Sequence, residues 1–290
     1  MPVGGTNSIQ VDQPCRSANL SLVPSYFTDA SWIRRIHREH VVGVGGGRAL
    51  LMQAAHPVAF AGFFMSTGAL DDPYPRLRRT ADVLNTIVYG ERGAADEATT
   101  AVRRVHSRVR GTLPEPVGKF PAGTAWAADD PELLLWILAT LADSGALVYQ
   151  RYVGELSRAA RDAYWEDYRL MGSLFGLKDS DMPSGSEELE RYVDEMVHGD
   201  VLHVSEPARR LGVDIVLHPP MPLPARPLVE LANFIVIGLL PGRIRRQYGL
   251  GWDPLRSLTL RVGAEYTKRL LVPALPRRVR YMPVARTAVV

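Results

Sequence analysis

The chain is expected to be all-α, and three observations point that way. Apolar residues recur at helical spacing in nearly every segment, sustained alternation of the strand type is missing, and the breaks between periodic runs carry proline or glycine. At 290 residues, 46% hydrophobic and 22% charged, the composition is that of a globular protein, and such a length can bury roughly three quarters of its unfolded surface. An irregular leader over 1–28 is expected to precede one helical domain over 29–290. Asp29 or Ser31 can cap a first helix reaching about Val42, which the glycines Gly43, Gly45, Gly46 and Gly47 are expected to break. Further helices are expected at 47–67, 73–89, 93–111, 130–152, 155–176, 186–198, 205–211, 225–239 and 253–271. The proline-rich stretch LHPPMPLPARP (Leu217 to Pro227) reads as an extended connector. No internal repeat is present.

Composition and motif spacing exclude several function classes. The 34 basic and 31 acidic residues leave a net charge of +3, so charge alone does not argue for nucleic acid. Basic runs do occur at Arg34 to His40, Arg76 to Arg79, Arg103 to Arg110 and Pro241 to Arg246. They read as solvated faces, because no base-stacking aromatics or zinc-finger spacing accompany them. Cys15 is the single cysteine, which rules out an intramolecular disulfide and a thiolate-rich metal site. The glycine run is no dinucleotide fingerprint, since Arg48 stands where its third glycine belongs. No G-x-S-x-G elbow of a serine hydrolase is found. Glu195 and His198 form one Glu-x-x-His pair, but a di-iron bundle needs a second. His37, His40, His203 and His218 lack partners at metal-ligand spacing and read as structural or solvent-exposed.

The first 25 residues lack the apolar core and basic head of a secretory signal. No uncharged apolar run reaches about 18 residues, and Leu228 to Leu240, the longest late candidate, contains Glu230. The protein is therefore expected to be cytoplasmic, although a greasy substrate could draw it to a membrane surface.

His106 is the most informative single residue. Ala98, Val102, Val105 and Val109 recur at helical spacing, and His106 lies four residues after Val102 and three before Val109, on or beside that inward stripe. A buried imidazole needs a hydrogen-bond partner or a metal, because leaving it unpaired costs about 1–3 kcal/mol. On this pattern alone a satisfied core histidine and a metal ligand both stay open.

Several motifs surround it in order: GRALLMQAAHP (Gly47 to Pro57), DPYPRLRRT (Asp72 to Thr80), RVHSRVRG (Arg104 to Gly111), LWILATLADS (Leu135 to Ser144), LFGL (Leu174 to Leu177) and LLPGRIRRQYGLGW (Leu239 to Trp252). Together, over roughly Trp32 to Ala285, they resemble the rubber oxygenase (latex clearing protein) and MpaB-like oxygenase catalytic domain family. Each motif alone is weak, whereas their order and spacing are specific. The resemblance implies a multi-helix, globin-like bundle enclosing one b-type haem, with a histidine on the proximal side and oxygen chemistry on the other.

Carried over by position, His106 matches the proximal iron ligand, and Arg76 and Thr80, four apart on one helical face, match the family's arginine and threonine near the haem. Arg79 falls where rubber-cleaving members can place a lysine that approaches the distal side. An arginine stays protonated and is a poor reversible ligand, so the sixth position is expected to be open, water-occupied or filled by another group. Haem carries two propionates that guanidinium groups can bind, and Arg76, Arg78 and Arg79 offer three, of which Arg78 reads as solvated. His56, in the AHP motif, is followed by Pro57, which bends the chain there. It is a candidate for the haem or substrate wall, with a role in supporting the bend as the alternative, and Gln53 is a weaker candidate for the same wall. The resemblance also implies a histidine, in many relatives, where this chain has Leu138; if that histidine orients oxygen or substrate, this chain lacks it and its chemistry is expected to differ from that of the rubber cleavers.

The resemblance thus implies a haem-dependent oxygenase acting with dioxygen or peroxide on a small or hydrophobic organic substrate, with oxidative C=C cleavage as the family reaction. Phe60, Phe63, Phe64 and Met65 could line an apolar cavity or be ordinary core. A haem-binding sensor or carrier without turnover, and a haem-free helical binding protein, are the other functions left open.

Overall fold

The computed structural model describes residues 25–64 and 72–287. Most of the expected leader, together with Cys15, Met65 and the side chains of Phe63 and Phe64, lies outside what is described. The described chain is mainly helical, in the order α1 (Trp32–His37), α2 (Gly45–Ala54), α3 (Pro57–Phe64), α4 (Tyr74–Tyr89), α5 (Arg92–His106), α6 (Pro131–Tyr152), α7 (Arg158–Phe175), α8 (Ser186–His198), α9 (Glu206–Leu217), α10 (Arg226–Leu239), α11 (Gly242–Gln247) and α12 (Pro254–Tyr266). A π-type turn over Thr267–Leu271 leads into the short α13 (Val272–Ala274), α14 (Arg277–Arg280) and α15 (Pro283–Thr287). Two three-residue strands, β1 (Arg110–Thr112) and β2 (Ala125–Ala127), pair antiparallel between α5 and α6.

The centre of the bundle is α6. Asp130 starts it by accepting from the Glu132 amide, with Pro131 in the first turn, the arrangement that satisfies a free amide at a helix start. Trp136, Ala139, Ala142 and Val148 are buried, and α2, α7 and α8 pack around them. By length and hydropathy α6 is the one described helix that could cross a membrane; here it fills the core instead. Opposite it, α7 is capped by Ser157 and stopped by Gly176, whose φ of 103° lies in the left-handed region. The amides of Gly176 and Leu177 return to the carbonyls of Ser173 and Gly172, the Schellman pattern that glycine allows at no steric cost.

Glycine misled the sequence reading at two places for one reason. Gly45, Gly46 and Gly47 do not break a helix; they open α2. A Cβ at Gly45 would stand 3.1 Å from the Ser144 carbonyl oxygen on α6, and one at Gly47 would stand 3.0 Å from Val216. The run thus lets α2 approach its neighbours closely. Likewise α9 does not stop at Leu211 but continues through Gly212 to Leu217, and the missing side chain there admits Leu51 and Tyr248, which a Cβ would meet at 3.1 and 3.3 Å. The helix expected over 47–67 divides into α2 and α3 at His56 and Pro57, as the bend at proline implies.

The helix expected over 93–111 ends at His106. A turn through Ser107 to Val109 then feeds β1, where a Cβ at Gly111 would lie 2.8 Å from the Trp126 indole. The inward stripe is also shifted from the expected one: Ala95 and Thr99 are the buried positions of α5, while Val105 is 58% exposed. His106 falls in phase with Ala95, Thr99 and Val102, and Val105 sits about 80° off that line at 100° per residue.

Candidate functional site

His106 is half-buried at the C-terminal end of α5, beside an open cleft of about 550 Å³. The cleft is bounded by the ends of three helices: Arg103, Arg104 and His106 from α5, Asp129 and Leu134 around the start of α6, and Phe175 at the end of α7. Burial depresses the His106 pKa below its ordinary value, the Arg76 charge lowers it further, and Asp129 raises it. The ring is therefore neutral near pH 7 and has a lone pair to give. Neither ring nitrogen makes a hydrogen bond among the described residues. Arg103 and Arg104 face the same cleft and enter no ion pair among the described residues.

Arg76 sits on α4, which packs along α5. It is half-buried, close enough for its charge to act on His106, and its own pKa is lowered by burial and by Arg79. The structure thus brings together Arg76 and His106. Thr80, one turn on, is exposed and donates its hydroxyl to the Arg76 carbonyl oxygen at 3.2 Å. Arg78 and Arg79 are exposed on the same helix.

His56 stands immediately before α3, and its Nδ1 accepts from the Ala59 amide at 3.3 Å, an N-terminal cap of that helix. Its ring lies 5.7 Å from that of Phe120, and burial lowers its pKa to about 4. It supports the bend at Pro57 and does not line the His106 cleft among the described residues. Gln53 ties α2 to α6, donating to the Thr140 hydroxyl at 2.9 Å. Phe60 is buried with Ala54 and Ala208 in a small apolar cluster. Leu138 is also buried; a Cβ at Gly172 would meet it at 2.9 Å and Met182 at 2.8 Å.

Three arrangements were not foreseen from the sequence. Arg103 and Arg104 are exposed, as a solvated run implies, and they also border the cleft. Arg48 is buried in an ion pair with Asp143 and hydrogen-bonds Ser144, both contacts at 2.7 Å. His37, half-buried, holds the hydroxyls of Tyr164 and Tyr168 at 2.9 and 3.0 Å, with its pKa lowered by burial to about 4. No group of three or more histidine, cysteine or acidic side chains placed to hold a bare metal ion is found among the described residues, which a single-histidine iron site does not need.

Residues 33–269 match the family described as ER-bound oxygenase mpaB/B′/Rubber oxygenase, catalytic domain. The chain belongs to this family, whose members are oxygenase-type enzymes. It is also similar to an uncharacterized protein of Mycobacterium bovis and to one of Mycobacterium tuberculosis, each 27% identical over 184 residues, or 62% of this chain and 68% of the relative. No solved structure matches the chain.

Proposed function

We propose that this protein is a b-type haem-dependent oxygenase in which His106 is the proximal iron ligand. The observation that carries the proposal is His106 itself: a neutral, half-buried imidazole without a hydrogen-bond partner among the described residues, facing a cleft of about 550 Å³ in a chain of an oxygenase family. The residues present fit the group. A neutral imidazole is the form that ligates iron, the cleft volume lies within the range of cofactor sites, and Arg103 and Arg104 are cations suited to two carboxylates. The helical frame would then enclose the haem as a globin-like pocket. Bound there, haem iron would supply the activation of dioxygen or peroxide.

The chain's own residues supply the setting. The Arg76 charge works with burial to keep the proton off His106 near pH 7. Leu134 and Phe175 give the cleft apolar walls that exclude water from one side. Arg79, exposed on α4 and by its guanidinium chemistry a poor ligand, would not block access of water or substrate to the iron. The substrate class that suits such walls is a small or hydrophobic organic molecule, with oxidative cleavage of a C=C bond to two carbonyls as the family reaction. Arg76 and Thr80 are proposed as residues near the haem, and His56 as a support for the wall. We further propose a cytoplasmic location.

The test is oxygen uptake by protein purified with its haem. Consumption that depends on an added hydrophobic alkene and falls to background in His106→Ala is the expected result. A haem-loaded protein that takes up no oxygen with any alkene tested would fit a sensor or carrier and would overturn the oxygenase reading.

A further inference from the structure

The net positive charge of this chain resides in one place. Between Asp253 and Tyr281 stand seven of its 34 basic residues and two of its 31 acidic ones, so the remainder is net acidic. Both acids are taken up locally: Asp253 pairs with Arg256 and Glu265 with Arg269. Arg261, Arg277 and Arg278 enter no ion pair among the described residues.

The same stretch turns an apolar stripe outward. Ala264 is buried and Leu260 half-buried on the face of α12 that meets the bundle. On the opposite face Leu255, Leu258, Val262 and Tyr266 are exposed by 72, 56, 59 and 54%, at successive intervals of three, four and four residues, which align on one side of a helix. The π-type turn that follows carries the stripe on to Leu270, 57% exposed. Large apolar side chains so aligned on a water-facing helix mark a site of contact. The face is held firmly: Lys268 is bonded to Glu155 and to the Gln150 carbonyl oxygen, and Gly238 admits Leu260 and Trp252 so closely that a Cβ would stand about 2.5 Å from them.

We propose that this face docks on an anionic lipid surface. Charge complementarity selects that occupant. A second copy seated by two-fold symmetry would bring two identical net-basic stretches together, whereas a bilayer with acidic headgroups meets that charge, with Arg261 on α12 itself, with the opposite sign while the leucines enter the acyl boundary. The inference is independent of what the His106 cleft binds.

The experiment is co-sedimentation of the full chain with vesicles of phosphatidylcholine alone and of phosphatidylcholine mixed with phosphatidylglycerol, with light scattering for mass. Wild type is expected to pellet with the anionic vesicles, and more weakly as salt rises from about 0.1 M to about 1 M and the screening length contracts from about 10 Å to about 3 Å. The pair Leu258→Glu and Val262→Glu, both at exposed positions, should weaken binding by at least roughly tenfold with unchanged circular dichroism. Arg261→Ala should weaken it roughly fivefold. Wild type that pellets with neither vesicle overturns the proposal, as does vesicle binding indifferent to these substitutions. A wild-type mass of two chains that the two glutamates reduce to one would assign the face to a second copy, and that also overturns it.

Discussion

Buried Arg48 on α2 pairs with half-buried Asp143 on α6 at 2.7 Å, with the same guanidinium also reaching the Ser144 hydroxyl and the Leu239 carbonyl oxygen. The contact joins two sequence motifs 95 positions apart and reaches α10 through its last carbonyl groups. It fixes the frame on which the cleft-bearing helices are mounted. Asp143→Asn leaves the buried guanidinium without its counter-charge, with a loss of about 3 kcal/mol expected in urea unfolding, and Arg48→Met, which leaves a half-buried carboxylate, a smaller loss. The combination Arg48→Met with Asp143→Leu removes both charges and should recover most of it, which a double-mutant cycle measures.

Acid sensitivity is expected from His37. Its pKa falls from 6.5 in the unfolded chain to about 4 in the fold, so above pH 6.5 the ring is neutral in both states and protonation contributes nothing. As pH drops below 6.5 the unfolded chain takes up a proton that the native state refuses, and native stability declines until about pH 4, by about 3 kcal/mol. His37→Gln, which can still bond to Tyr164 and Tyr168, should flatten this part of the curve of urea midpoint against pH.

Leu138 lies in the packed core against Gly172 and Met182. Leu138→His puts an imidazole among those side chains, and a loss of about 2–4 kcal/mol is expected by thermal or urea unfolding.

The two cleft arginines should discriminate between charged and neutral forms of the same macrocycle. Arg103→Ala and Arg104→Ala are each expected to weaken haem binding roughly tenfold, from the loss of a charge-assisted contact. Haem dimethyl ester should bind wild type and both variants alike, as titrations followed by visible absorbance can establish.

Much of this was legible in the sequence. The limits of α8 at Ser186 and His198, and the helix carrying Arg76 and Thr80, follow from local periodicity and breaks. Helical phase also pointed His106 inward, but one residue of misphasing put Val105 inside when Ala95 and Thr99 fill that role. Glycine was read by its backbone freedom, and the competing effect, close approach of neighbouring elements at Gly45 and Gly212, depends on partners far along the chain. The same holds for Arg48 with Asp143 and for His37 with its two tyrosines: each residue was visible, and the pairing needed the third dimension. Arg103 and Arg104 are solvated as read, but nothing local says that the start of α6 and the end of α7 converge beside them to form a cleft.

The central claim is tested most directly by the visible spectrum of protein expressed with haem precursor, set beside that of His106→Ala. A Soret band in the wild type that collapses or shifts in the variant, with both proteins folded by circular dichroism, is the expected result. A folded wild type that stays colourless after haem titration, or a Soret band unchanged in His106→Ala, would contradict the account.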